Sequence, residues 1–213
     1  MRILGLDEAG RGCVLGALVV GGYLWEGEDQ APLRAAGADD SKALTHLRRV
    51  EVRERLTPMG TGKVKLIPAT AIDEGNLNQL EEAAFVELVR ELSPDRVYLD
   101  APVHPGGIPR LRARLVATTG VSDWIIEPKA DATWPVVGAA SIFAKTTRDA
   151  ELAAIEAECV AAGLGSLGSG YPSDPVTRGF LVARMRENRP LPAFVRTRWG
   201  TIENLRQQGL FGR

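Results

Sequence analysis

The chain reads as an α/β layered domain followed by a small helical extension, and three observations say so. Short apolar runs suited to strands alternate with segments whose apolar residues recur at helical spacing. Two of those strands end in carboxylates beside flexible connections, Asp7 with Glu8 and Asp100. Past residue 170 the strand signals stop and arginine accumulates: eight arginines lie between Arg178 and Arg213 against two acids, Glu187 and Glu203. The layered domain is therefore placed at 1–170 and an arginine-rich extension at 171–213.

Residues 2–7, with Ile3, Leu4 and Leu6, and 14–24, beginning at Val14, suit consecutive strands joined by a glycine turn, Gly10-Arg11-Gly12, in a hairpin that presents that turn. Asp39, Asp40 and Ser41 offer capping groups for a helix running through Leu44, Leu47, Val50 and Val52 to Leu56, with Lys42 in its first turn. Residues 63–68 suit a strand. Residues 79–92 have helical spacing and stop at Ser93-Pro94-Asp95. Residues 96–100 form a short strand ending in Asp100, followed by a Pro/Gly-rich loop to Pro109. A short helix over 110–117, a strand over 124–126 and a long helix over 134–162 follow. Gly163 to Ser173 turns the chain, and two short helices close it. No internal repeat or low-complexity tract interrupts this order.

Composition narrows the function classes. With 26 Lys and Arg against 27 Asp and Glu the chain has no general field for polyanions, so a nucleic-acid site must be local, with the C-terminal arginines as the positive patch. Two cysteines, Cys13 and Cys159, are too few for a disulfide framework or a zinc site, and a reducing cytoplasm is the default. No run approaches the roughly 20 apolar residues of a membrane span, and Asp7 and Glu8 interrupt any signal-like start. A cytoplasmic monomer is the expectation.

The chemistry lies in the acids. Sites in α/β sheets gather outside strand ends, where Asp7, Glu8 and Asp100 sit, and Asp131 falls between a strand and the long helix. Each has an ordinary reading as well: a solvated turn for Asp7 and Glu8, a loop residue for Asp100, a helix cap for Asp131. If the four converge, their repulsion calls for divalent cations, and oxygen-only ligation suits Mg²⁺ or Mn²⁺. Two such ions activate a water and stabilise the leaving oxygen in phosphoryl displacement. Neighbouring strand residues point to opposite faces, so Asp7 and Glu8 share a site only if the strand has ended.

The string Asp7-Glu8-Ala9-Gly10-Arg11-Gly12 resembles the signature of type 2 ribonuclease H, ribonuclease HII. Further ordered blocks resemble that family: Asp40-Ser41-Lys42 with Leu44, Asn76-Leu77-Asn78, Tyr98-Leu99-Asp100, and Lys129-Ala130-Asp131 with Ala139 to Lys145 and Arg148-Asp149. The last runs from Gly168 to Pro175, and the matches extend to about Trp199.

The resemblance implies a ribonuclease H-like fold with a mixed five-stranded sheet flanked by helices and a C-terminal helical extension. It implies that Asp7, Glu8, Asp100 and Asp131 are the metal-binding catalytic carboxylates, with Mg²⁺ or Mn²⁺ as cofactor. The activity implied is hydrolysis of the RNA strand of RNA/DNA hybrids and incision 5′ of ribonucleotides embedded in duplex DNA, leaving 3′-hydroxyl and 5′-phosphate ends. Gly10, Arg11 and Gly12 then suit recognition of the 2′-hydroxyl, the group that separates ribose from deoxyribose. Tyr171 would stack on the sugar at the RNA-to-DNA junction, and Lys42 would contact a phosphate of the DNA strand. Ser141 and Lys145, one helical turn apart, would face the site, although Lys145 equally suits neutralising a carboxylate.

The chain departs from the family at Cys13, where proline is usual. A small hydrophobe at the start of a strand and a redox partner for Cys159 are both open readings. His104 is placed on the surface, with a proton shuttle as the alternative, and His46 in solvent. Gln207 to Phe211 resembles a sliding-clamp peptide without its aromatic pair. Two other functions compete: a nuclease or phosphotransferase of the same fold with another substrate, disfavoured by the Gly-Arg-Gly turn with Tyr171, and a non-catalytic hybrid-binding subunit, disfavoured by the four acids.

Overall fold

The computed structural model describes residues 1–39, 44–187 and 190–207. Lys42, with Asp40 and Ser41, lies outside the described residues, as do Gln208 to Phe211. The chain divides into two compact units, one of residues 1–9, 19–65 and 81–147, the other of residues 10–18, 66–80 and 148–213.

A five-stranded sheet organises the first unit. Its strands are β1 (Arg2–Ala9), β2 (Leu18–Glu26), β3 (Thr61–Ile67), β4 (Arg96–Asp100) and β5 (Asp123–Glu127), in the order β3-β2-β1-β4-β5. β1 pairs antiparallel with β2 and parallel with β4, and β4 parallel with β5, so the sheet is mixed, with β1 at its centre. The helices are α1 (Ala31–Ala36), α2 (His46–Leu56), α3 (Ala69–Glu74), α4 (Leu77–Leu92), α5 (Ile108–Thr119), α6 (Ala130–Thr133), α7 (Pro135–Ala161), α8 (Pro175–Arg186) and α9 (Gly200–Gln207).

Four of these strands and helices depart from the sequence expectation for local reasons. α2 starts at His46 because the hydroxyl of Thr45 accepts from Arg48 N (3.3 Å), so the cap is Thr45 and not the Asp39–Ser41 run. The short α1 and α3 fall in stretches with too few periods to show helical spacing. β2 starts at Leu18 rather than residue 14 because the preceding loop bonds elsewhere: Val14 N and Leu15 N donate to Gly170 O, and Gly16 N donates to Phe194 O. Long, strongly periodic segments such as α7 and α4 lie within two residues of their expected bounds.

The pleat decides what each face of the sheet does. Leu4 and Leu6 of β1 share a face with Gly22 and meet Leu88 of α4. On the other face Ile3, Tyr23 and Tyr98 pack with Val136, Val137, Ala140 and Phe143 of α7. α7 comes unusually close: a Cβ on Gly5 would lie 2.0 Å from Val136 O, and one on Gly21 2.3 Å from Ala140 O. These two missing side chains let the helix backbone rest on the sheet, which sets the height of the residues that follow on α7. Gly5→Ala is therefore expected to destabilise the fold by about 3 kcal/mol or more, the upper range for overpacking. A thermal melt checks this, and an unchanged midpoint would mean that α7 does not seat on β1.

The second unit has its own core, in which Val14, Leu15, Leu152, Cys159, Phe180, Leu181, Val195, Ile202 and Leu205 pack together. Cys13 and Cys159 are both buried and unbonded. Among the described residues no helix is long and apolar enough to cross a membrane.

Candidate active site

Asp7 and Asp100 reach the α7 face of the sheet by register. Gly5 pairs with Tyr98 across the parallel β1–β4 ladder, and Asp7 and Asp100 lie two residues further along each strand, on the same face as those partners. Asp131 arrives from α6. That short helix is fastened to β4 by the carboxylate of Asp100, whose Oδ1 accepts from Ala130 N at 3.0 Å. Its N-cap is Lys129, held in a left-handed conformation (φ 61°), so Asp131 sits in the first turn and is not the cap. Carboxylate oxygens of Asp7, Asp100 and Asp131 all lie within 4.8 Å of one another. Asp7 and Asp131 are buried, and Asp100 is half-buried.

Glu8 is not among these three. β1 continues to Ala9, with Asp7 opposite Gly21 and Glu8 opposite Val20, so the strand has not ended and the half-buried Glu8 starts from the other side of the pleat.

The three carboxylates repel one another. With oxygens within 4.8 Å, each pair repels by about 3 kcal/mol or more at the effective screening of protein sites. Burial pushes the Asp7 carboxyl up to about 7, with Asp100 adding repulsion, while a hydrogen bond from Ser141 and the charge of Lys145 act the other way. Lys145 Nζ donates to Ser141 Oγ at 2.8 Å, so the two residues expected one turn apart on α7 form a chain toward Asp7. The donor set is oxygen-only and partly shielded from water, which fits a hard divalent cation such as Mg²⁺ or Mn²⁺.

The second unit holds the Gly-Arg-Gly turn. Gly10 has φ +86°, and a Cβ there would lie 2.8 Å from both Ala17 O and the Arg148 side chain, so the turn needs glycine at this position. Gly12 is different. It is exposed, its φ is not left-handed, and a Cβ there would meet nothing within 4 Å. Arg11 Nη2 donates to Asn78 Oδ1 at 2.5 Å, and Asn76 Oδ1 accepts from Asn78 N and Gln79 N at the start of α4. The Asn76-Leu77-Asn78 block thus caps a helix and steadies Arg11.

Tyr171 lies in the same unit, on the turn 168–171. Gly170 O accepts from Val14 N (2.9 Å) and Leu15 N (3.3 Å), which ties that turn to the loop after Gly12. Asp174 stabilises it from below: Oδ2 accepts from Ser169 N and Oγ, both at 2.6 Å, and Oδ1 accepts from Val176 N, which holds its carboxyl down at about 2. The Tyr171 ring is exposed on one side, and the guanidinium of Arg148 stands 5.4 Å from its centroid.

Sequence reasoning missed two arginines. Arg148 Nη2 donates to Ser169 O (2.7 Å), while the fully buried Arg196 donates to Arg11 O and Gly16 O, both at 3.1 Å. Arg196 had been counted in the C-terminal positive patch. With Arg184 also buried and paired to Glu187, that patch reduces to Arg178, Arg186, Arg198 and Arg206 among the described residues. Nothing in composition separates a buried arginine from an exposed one; the apolar Phe194-Val195 before Arg196 is the only local hint. His104 is exposed and caps a 3-10 turn, with Nδ1 accepting from Gly106 N at 3.3 Å, and His46 is exposed at the start of α2.

The family model for ribonuclease HII matches residues 4–202 of the chain. A ribonuclease HII of Archaeoglobus fulgidus is 38% identical over 211 residues, which cover 97% of each sequence. Among solved structures, ribonuclease H2 from Pyrococcus horikoshii OT3 superposes with a TM-score of 0.85 at 34% identity, covering 100% of both chains. The RNase HII of Archaeoglobus fulgidus, solved in a complex with PCNA, superposes with a TM-score of 0.81 at 36% identity, covering 93% of this chain and 95% of that one.

Proposed function

We propose, from the premise that this chain belongs to the ribonuclease HII family and is thus an endoribonuclease, that it hydrolyses the RNA strand of RNA/DNA hybrids and incises duplex DNA on the 5′ side of embedded ribonucleotides, leaving 3′-hydroxyl and 5′-phosphate ends. The observation that carries this reading is the meeting of Asp7, Asp100 and Asp131 in one largely buried carboxylate cluster. These three hold divalent cations, and Glu8, which starts from the other side of the pleat, joins them as a fourth acid through its longer stem. Two bound Mg²⁺ or Mn²⁺ ions supply an activated water and stabilise the leaving oxygen of an in-line displacement.

The remaining roles belong to the chain. Ser141 and Lys145 orient Asp7 and favour its ionised form against its burial, the charge-balancing alternative that the spacing of Lys145 left open. Gly10, Arg11 and Gly12 read the ribose: the open space at Gly12 supports close approach of a 2′-hydroxyl to backbone, and Arg11 contacts phosphate. Tyr171 stacks on the sugar that follows, supported by its exposed ring. Lys42 contacts a phosphate of the DNA strand. Arg178, Arg186, Arg198 and Arg206 give the 171–213 extension a local attraction for the duplex that the neutral chain as a whole lacks. The biological task is removal of ribonucleotides and RNA primers from DNA in the cytoplasm. Binding to a sliding clamp through the Gln207–Phe211 end is supported by the relative solved with PCNA.

The test is gel-resolved cleavage of a DNA duplex with one embedded ribonucleotide, beside an all-DNA duplex and a long RNA/DNA hybrid, with Mg²⁺, Mn²⁺ or chelator. Metal-dependent incision 5′ of the ribonucleotide, with the all-DNA duplex intact, is the expected result. Absence of incision with either metal would overturn the reading.

A further inference from the structure

Arg196 is a cation that the carboxylate chemistry does not use, buried at 0% exposure in the second unit. Its burial is costly: the guanidinium is pushed down to about 10, chiefly by desolvation, and Nη2 is shielded from water without a hydrogen-bond partner. A guanidinium placed for stability alone is normally paired with a carboxylate. The hydrogen bonds here go instead to two backbone carbonyls, Nη1 to Arg11 O and Nε to Gly16 O, both at 3.1 Å. The rigid fork thus grips both ends of the Arg11–Gly16 loop, a geometry that an ammonium cannot reproduce. The main chain of the same segment adds to the grip, since Arg196 N donates to Val14 O (2.9 Å) and Leu15 bridges Val195. The segment is in turn fixed by Asp73, whose Oδ2 accepts from Thr197 N and Oγ1 at 2.6 Å each and whose Oδ1 accepts from Arg198 N at 3.2 Å.

One of the two gripped carbonyls matters for recognition. The peptide between Arg11 and Gly12 is planar and trans, so its C=O and N–H point in opposite directions. With Arg11 O turned inward onto Arg196, Gly12 N–H is turned away from it, at the residue where the surface is open and exposed. Without that bond the peptide is free to rotate, and a glycine following it offers little resistance.

We infer that Arg196 is a positioning residue for substrate recognition, which locks the Arg11–Gly12 peptide in the orientation that presents Gly12 N–H to the ribose 2′-oxygen. The inference rests on the reading of Gly10–Gly12 as the ribose reader. Duplex affinity comes mostly from phosphate contacts, so loss of the lock lowers turnover more than binding.

The experiment measures kcat and KM separately on a DNA duplex with one embedded ribonucleotide. It compares wild type, Arg196→Lys, Asp73→Asn and, as a destabilised control in the first unit, Leu115→Ala, buried on α5, each assayed 10 °C below its own melting midpoint. Arg196→Lys is expected to lose about 30-fold in kcat, equivalent to about 2 kcal/mol, with KM changed less than threefold. Asp73→Asn, which keeps the fork and loosens its seat, shows the same pattern at smaller size and stands in for the lysine variant if that fails to fold. Leu115→Ala keeps wild-type kcat. Wild-type kcat in the arginine and aspartate variants, or a loss that Leu115→Ala shares, overturns the inference. Absence of incision by wild type would instead overturn the ribonuclease reading beneath it.

Discussion

Asp7→Asn lowers the cleavage rate by about 10³-fold or more, about 4 kcal/mol of transition-state stabilisation, and at the same time makes the metal-free protein more heat-stable above neutral pH. The two effects share a cause. Asp7 is an acid at about 7 in the fold against 3.8 in an unfolded chain, raised chiefly by burial and further by Asp100. A raised carboxylate favours the fold while protonated: its contribution is full below 3.8, declines as pH rises, and is gone once pH passes about 7. Asparagine has no such dependence. Chelated wild type is therefore expected to lose melting temperature between pH 5 and pH 8 while the variant stays flat, with the variant ahead by about 5 °C at pH 8, the shift expected for about 2 kcal/mol in a chain of this size. Added Mg²⁺ or Mn²⁺ restores the wild type and not the variant, because the cation substitutes for the proton. Scanning fluorimetry across pH with chelator or metal checks this. Parallel pH profiles for the two proteins would mean that Asp7 is not the strained acid of the cluster.

Gly12→Ala and Gly10→Ala separate recognition from folding. At Gly10 an alanine meets a backbone oxygen and the Arg148 side chain at 2.8 Å and must adopt φ +86°, so the variant is expected to lose about 2–4 kcal/mol of stability. At Gly12 there is room and ordinary backbone geometry, and the melting midpoint is expected to stay within about 1 °C of wild type. Its methyl nonetheless occupies the open space proposed for the ribose, and kcat/KM on the embedded ribonucleotide is expected to fall about 100-fold, near 3 kcal/mol, with metal affinity unchanged. Calorimetric metal titration, melting and kinetics on the same preparations provide the comparison. A Gly12→Ala enzyme with wild-type kinetics would remove the turn from ribose recognition.

Much of this was legible in the sequence because it follows from local rules. Asp7, Asp100 and Asp131 were marked by their place at element ends, and the structure brings those three together. Glu8 illustrates the limit. Whether β1 stops at residue 7 or 9 decides which face Glu8 occupies, and Ala9-Gly10 gives no local stop signal strong enough to decide; pairing of Glu8 with Val20 does. The expected helix start at Asp39–Ser41 differs from that of α2 because Asp39, Asp40, Ser41 and Thr45 are all competent caps, and α2 begins behind Thr45. Arg196 was invisible for a different reason. Its partners are carbonyls of Arg11 and Gly16, some 180 residues earlier, and carbonyls are the same at every position.

The strand order has a consequence for how the molecule comes to life. β1 sits between β2, its immediate successor, and β4, which lies some ninety residues downstream. Loop closure favours the hairpin first and delays the parallel pairing, the slower event in both synthesis and refolding. Asp7 therefore meets Asp100 only once β4 has paired with β1, and Asp131 only once α6 has docked on Asp100. The repulsion that defines the cluster is thus a property of the assembled sheet, built from segments of the chain that loop closure brings together late.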